Sequence, residues 1–488
     1  MKRLLFMLVT AIALISCGRE ILEQSLSYQS ESTGIVLSQD EASPEYLYAD
    51  HFVSKDKVGD ILRKSFLGRD PIQVTSIYKD DDVVMYLALF EEGWALVAAD
   101  DRAENHILAY DEEGSFNPDE IANPEFRFWF ETTKSQMAVL RHTEDIKRIG
   151  KFKTLTKSGE EDYYWIRWHI RDDTTRVQDH VAHLLNTKWG QDEPWNIRCP
   201  FIDGNSGDRR LTGCVAVATA QILYYLKMSK GFPIGLYHQL TASFLDGYEN
   251  VYSYYWEYLY SIPYKYISSI SRSDYNNPST RWAAMAKEAD EEITTYVGDL
   301  MIDVGEYVNM RYCYRSANPY IFVSETDSLN VGDAYPYYGI DYDKTAYNYQ
   351  TVKSSIDNGY PVMVYAYGSQ SGNNYSGGHA WVIDGYHHYT TSIDRVYMWY
   401  RASADSLSYY EYDHCLTEAE MQSFFPNVNE GDIEHEYSNG ISKYLLMNWG
   451  WDGEDNNVKC WFTGSEWPTT NNDYPYNPVI LFNFREDE

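Results

Sequence analysis

Thr212-Gly213-Cys214-Val215-Ala216-Val217-Ala218-Thr219-Ala220-Gln221-Ile222-Leu223-Tyr224-Tyr225-Leu226 is the stretch on which the reading of the chain turns. Gly213 lets the backbone turn close to its neighbours, and Thr212 is a residue type that caps helices. The alanine-rich apolar run to Leu226 holds no proline or glycine and predicts a buried helix. Cys214 then stands in the first turn, where unsatisfied N–H groups and the positive end of the dipole favour a thiolate. The thiolate is the nucleophilic form, so a catalytic cysteine belongs in such a place. Read alone, the stretch also admits a cysteine that is only a small buried hydrophobe.

The 488 residues suffice for two or more domains with their own cores. Lys+Arg 40 against Asp+Glu 73 leaves a formal charge of -33, which argues against nucleic acid as a partner. At the N-terminus Lys2 and Arg3 precede the apolar run Leu4 to Ile15, a secretory signal too short for an ordinary membrane span. Its end, Leu14-Ile15-Ser16-Cys17, resembles the lipobox of bacterial lipoproteins, which implies lipid attachment at Cys17 and an exported protein. The expected place is the outer membrane, on its periplasmic or cell-surface face. Without Cys17 the cysteines are Cys199, Cys214, Cys313, Cys415 and Cys460, an odd number that leaves at least one thiol outside any disulfide.

Residues 18–45 are polar and read as a tether, and 46–150 as a small α+β domain. Within it Val83 to Phe90 and Trp94 to Ala99 flank Glu91-Glu92-Gly93, a β-hairpin pattern, and a helix is expected from Asn123-Pro124. Residues 151–176 are charged and weakly patterned, which reads as a linker open to proteases. Residues 177–488 form a second domain in which helices precede strands, an α+β order. Its middle, about 230–345, reads as loops and short helices rich in tyrosine. Pro361 to Tyr367, His379 to Tyr386, Tyr444 to Trp451 and Val479 to Phe484 read as strands, with residues 389–440 a polar excursion between the second and third.

A cysteine nucleophile needs a base, a group that orients the base, and a donor to the oxyanion. His379 opens an apolar strand after Gly377-Gly378 and is the best base among the 12 histidines. Asn448 lies in an apolar strand, where an amide must be hydrogen-bonded, and suits the orienting role. Trp449 and Trp451 would shield that pair, and Gln191 could donate to the oxyanion. His387-His388 and the group Asp432, Glu434, His435 and Glu436 fit no metal-binding spacing and read as surface loops, so no metal or organic cofactor is expected.

The order Gln, Cys, His, Asn is that of papain-like peptidases. The chain resembles the streptopain-type bacterial cysteine peptidases, made as zymogens. The resemblance rests on Trp189-Gly190-Gln191 with Pro194-Trp195-Asn196, on Thr212-Gly213-Cys214-Val215-Ala216 with Ala220-Gln221-Ile222, on Gly378-His379-Ala380 with Val382-Ile383-Asp384-Gly385, and on Asn448-Trp449-Gly450-Trp451. Ala98-Ala99-Asp100-Asp101-Arg102 with Ile107-Leu108-Ala109-Tyr110 resembles the family's inhibitory propeptide.

The resemblance implies a papain-like domain, its helical part carrying Cys214 and its sheet carrying His379 and Asn448. Cys214 would be the nucleophile, His379 the base and then the acid, Asn448 the orienting group, and Gln191 with the Cys214 N–H the oxyanion hole. It also implies peptide substrates with an apolar residue before the cleaved one, and the propeptide as internal inhibitor. The insertion 389–440 and the acidic run Asp452 to Asn457 depart from the family pattern. The competing expectation is a surface adhesin or a glycan- or peptide-binding module on the same scaffold.

Overall fold

The computed structural model describes residues 51–103, 105–121, 123–142, 163–202, 207–253, 258–276, 279–285, 291–313, 324–371, 374–403, 412–450, 459–463 and 476–487. Cys17, the tether, residues 151–162 of the linker and Trp451 lie outside them, and Cys415 and Cys460 are described in backbone alone.

The N-terminal region opens with helix α1 (Val58–Lys64) and the antiparallel strands β1 (Gln73–Lys79), β2 (Asp82–Leu89), β3 (Trp94–Ala98) and β4 (Ile107–Asp111). The expected hairpin is β2–β3, with Leu89 opposite Trp94. Helix α2 (Pro124–His142) starts where Asn123 accepts the Phe126 N–H at 2.9 Å. Apolar residues fill β2 and β3 without alternation because both faces are covered. Met85, Leu87, Leu96 and Ala98 meet Phe126, Trp129 and Phe130 of α2 on one side. Tyr86, Ala88, Ala95 and Val97 meet Val58 and Leu62 of α1 on the other.

Next in the chain come strand β5 (Tyr163–Val181), helix α3 (Cys214–Ser229), strands β6 (Leu236–Ser253) and β7 (Tyr258–Asn276), helices α4 (Ser279–Ala284) and α5 (Glu291–Tyr307), and strand β8 (Arg311–Tyr312). Strand β9 (Ile340–Ala346), helix α6 (Tyr349–Asp357), strands β10 (Val362–Ser371), β11 (Asn374–Ser403) and β12 (Tyr412–Leu416), helix α7 (Glu418–Phe424), and strands β13 (Ile433–Asn448), β14 (Lys459–Thr463) and β15 (Tyr476–Glu486) complete it. The main sheet runs β1-β2-β3-β4-β14-β13-β11-β10-β15-β9, with β5 paired to β11 and β12 paired to β5. Helix α3 packs on β10, β11, α4 and α5 and is buried from Cys214 to Leu226, which explains its predominantly apolar surface.

Several segments differ from their reading as linker or loops. Residues 163–176 belong to β5, and the middle of the second domain holds the long β6–β7 ladder, Leu236 opposite Asn276 through Ser253 opposite Tyr258. The second half of β5 is exposed on both faces, so no period of apolar residues marks it. His387 and His388 lie in strand β11, where His387 is buried, and Glu434, His435 and Glu436 lie in strand β13.

The N-terminal sheet does not stop at the expected domain boundary. Ala109 and Tyr110 of β4 pair with Phe462 and Trp461 of β14, so one ladder crosses from one region to the other. Tyr389, Tyr444 and Leu446 share a core with α1, β2 and β3. His387 Nδ1 is in hydrogen-bond contact with the Tyr110 hydroxyl and, at 3.1 Å, with that of Tyr389, while the His180 ring of β5 meets it edge-on. Burial, with His180 second, lowers its pKa to about 4. A histidine held neutral in the fold charges more readily once unfolded, so its contribution is whole above about pH 6.5 and is lost as pH falls toward 4. The loss amounts to about 3 kcal/mol. Urea denaturation at pH 7 and pH 4.5 should therefore show a smaller acid-induced loss for His387→Gln than for the parent chain. Equal losses would show that this histidine does not link the junction to pH.

Candidate active site

Gly213, not Thr212, occupies the N-cap of α3, at φ 91° and ψ 137°. That backbone is open to glycine and strained for other residues, and a Cβ there would lie 2.7 Å from the Met310 side chain and 3.1 Å from the Ser324 carbonyl. Glycine brings no side chain to the cap, so the N-cap residue itself takes up none of the first-turn N–H groups. Thr212 is used differently. Its N–H and its hydroxyl both donate to the Gln191 carbonyl, at 2.9 and 3.2 Å, tying the turn that carries Gln191 to the residues leading into Cys214. Gln191 is 2% exposed, and its Oε1 has no hydrogen-bond partner among the described residues.

Strand β11 presents His379 opposite Ala366 of β10, buried, with its ring stacked on Trp381 at 5.8 Å and tilted against Trp449 at 6.0 Å. His379 Nε2 donates to the Trp449 carbonyl at 3.1 Å. A carbonyl only accepts, so the proton sits on Nε2 and Nδ1 carries the lone pair. The Asn448 amide, fully buried, donates to Gln221 Oε1 of α3 at 3.0 Å and accepts from the Gly450 N–H at 3.2 Å. Thr187 donates to the same Gln221 oxygen at 2.8 Å. The bonds of Asn448 thus fix the main chain that carries the Trp449 carbonyl. The acceptor of the imidazole N–H is that carbonyl, so Asn448, expected as the orienting group, does not bond the ring itself.

These links converge on the start of α3. A Cβ on Gly450, at φ 73°, would lie 3.0 Å from Val217, one turn along from Cys214. Cys214, Val217, Ala380 and Val382 belong to one core cluster. Gln191, Cys214, His379 and Asn448 are therefore bound into one neighbourhood, with Trp449 buried beside the histidine. Sequence reasoning missed Gln221 and Ser324 as positioning residues. Ser324 donates to the Leu211 carbonyl at 2.6 Å and accepts the Cys313 N–H at 3.1 Å, bracing the segment that leads into Gly213. The polar Gln221 within an apolar helix was a legible signal; Ser324 offered none.

Cys199 is a free thiol of another kind. It is buried, and burial raises its pKa far above the ordinary thiol value, so it stays protonated and inert.

An aromatic series joins this site to the N-terminal region. Trp449 lies 5.7 Å from Phe462, whose ring meets Trp129 edge-on at 4.8 Å and Phe126 at 5.6 Å.

The profile of the peptidase C10 family matches residues 189–410, and that of the Spi protease inhibitor matches residues 37–137. No curated protein matches the chain. Among solved structures, a fragment of Prevotella intermedia prointerpain A aligns at 18% identity over 84% of this chain and 97% of that one, with a TM-score of 0.43. Active wild-type interpain A cysteine protease of the same organism aligns at 19% identity over 62% of this chain and 94% of that one, with a TM-score of 0.34. The chain belongs to the C10, streptopain-type family of cysteine peptidases and is a zymogen, its peptidase domain preceded by a Spi-type inhibitor domain.

Proposed function

We propose that Cys214 is the nucleophile and His379 its base in an endopeptidase acting through a thioester. The observation that supports this most is the hydrogen bond from His379 Nε2 to the Trp449 carbonyl, which places the ring proton on Nε2 and the basic lone pair on Nδ1. Nδ1 removes the Cys214 thiol proton, and Sγ attacks the carbonyl carbon of the scissile peptide. The oxyanion receives hydrogen bonds from the Cys214 N–H and Gln191 Nε2. The imidazolium then protonates the departing amine as its C–N bond breaks, leaving the acyl group on Sγ. Water, giving its proton to Nδ1, attacks the thioester and releases the acid.

Asn448 acts as a positioning residue through the main chain of Trp449, and Trp449 and Trp451 exclude water from the pair. The substrates are proteins or peptides, with an apolar residue preferred before the cleaved one. The inhibitor domain restrains its own peptidase domain, and its removal by a cut in the chain activates the enzyme. No metal or organic cofactor takes part.

Gln191→Ala should lower kcat by roughly 10²–10³-fold with little change in KM, the loss typical of one oxyanion donor. An unchanged kcat in a casein assay would remove Gln191 from the oxyanion hole.

The Leu14-Ile15-Ser16-Cys17 sequence further supports a lipid-anchored, exported protein, held at the outer membrane on its periplasmic or cell-surface face. Fatty-acid labelling in cells should mark the chain and vanish in Cys17→Ser; labelling that persists would exclude Cys17 as the attachment site.

A further inference from the structure

We infer that strand β5 stays with the peptidase after activation, so that the activating cut falls N-terminal to Tyr163. The inference rests on the proposed activation by chain cleavage. It goes beyond it by assigning residues 163–181, which lie ahead of the matched region 189–410, to the working enzyme.

Three sets of contacts carry it. The backbone of β5 pairs with β11 along its length, from Tyr163 opposite Ser403 to Val181 opposite Tyr386. Its other edge is paired near the start, where Trp165, Ile166 and Trp168 lie opposite Leu416, Cys415 and Tyr412 of β12. A protease takes its substrate as extended chain with free backbone groups. Here those groups are bonded to β11 along the strand, and on the other edge as well near Trp165, Ile166 and Trp168, so cleavage requires the strand to open first.

Side chains near both ends of β5 are engaged as well. Trp165, Trp399 and Met421 form the core of the 389–440 insertion, with Leu416, Phe425 and Val428 around it. Trp165 Nε1 donates to Glu418 at 2.8 Å, and Ile166 is fully buried. Arg167 lies over the Tyr397 ring at 3.7 Å and pairs with Glu434 and Glu436 at 2.9 and 3.1 Å. At the other end of the strand, Asp179 pairs with Lys353 of α6 at 2.8 Å and accepts from the Tyr386 hydroxyl at 3.0 Å. A cut inside β5 would leave the insertion without one of its core tryptophans and two carboxylates without their arginine.

The test uses the Cys214→Ala chain lacking residues 1–17, treated in parallel with a trace of wild-type enzyme and with thermolysin. The intact mass of the surviving C-terminal fragment gives its first residue. Hydrogen exchange is followed over 163–181 before and after the cut. The expected fragment begins ahead of Tyr163 with either protease. The β5 amides should exchange at least about 100-fold more slowly than free chain, as in a stable strand. Trp165→Ala should move thermolysin cleavage into 163–176. A folded fragment that begins within 164–188, or β5 amides that exchange as free chain does, would overturn the inference. If wild-type enzyme makes no cut while thermolysin gives the long fragment and the amides are protected, self-processing fails and the assignment of β5 stands.

Discussion

Cys214→Ala is expected to abolish peptide hydrolysis, with kcat lower by roughly 10⁴-fold or more, the scale seen when a catalytic nucleophile is removed. The loss should come without unfolding. Cys214 is 9% exposed at the mouth of a helix that is buried through Leu226, and alanine is the best helix former. The melting temperature should therefore stay close to that of the parent chain. Cys199 is no substitute, since burial holds its thiol protonated. Stopped casein assays on processed protein, with far-UV spectra as the control for folding, make the comparison. Activity within tenfold of the parent would place the nucleophile elsewhere.

Trp129→Ala is expected to unlatch the zymogen. Trp129 sits on α2 of the inhibitor domain, buried, stacked on Phe126 at 5.6 Å and edge-on to Phe462 of the peptidase sheet at 4.8 Å. Phe462 in turn packs on Trp449, whose carbonyl holds His379. Truncating a buried tryptophan to alanine costs about 3–5 kcal/mol. Part of that falls on the inhibitor domain itself and part on its docking; about 3 kcal/mol lost from docking alone is roughly 10²-fold in the latent population. The unprocessed chain should then hydrolyse casein up to roughly 10²-fold faster at first, with a shorter lag before processing. Trp129→Phe should keep most of the latency. Identical lags for all three chains would show that α2 does not restrain the site.

The helix of Cys214 was legible because thirteen buried residues in succession carry no helix breaker. His379 and Asn448 stood out for local reasons too, a ring after a double glycine and an amide among apolar neighbours. The element that orients the histidine was not legible, because its acceptor is a main-chain carbonyl and every residue has one. Thr212 shows the same limit: its type suits a cap, but the hydroxyl is drawn to Gln191 across a loop. Strand β5 was hidden because its partner lies some two hundred residues away and its outer half is wet on both faces, so that only Trp165 and Ile166 mark a core. His387 looked like a loop residue because the tyrosine that buries it comes from the inhibitor domain.

The most direct test of the account is the site of covalent labelling by a peptidyl chloromethyl ketone on processed enzyme, mapped by peptide mass spectrometry. The account predicts one equivalent of label on Cys214, activity falling in proportion to it, and no label in His379→Ala under the same conditions. Loss of activity with Cys214 unmodified, or label distributed over Cys199 and Cys313 as well, would contradict it.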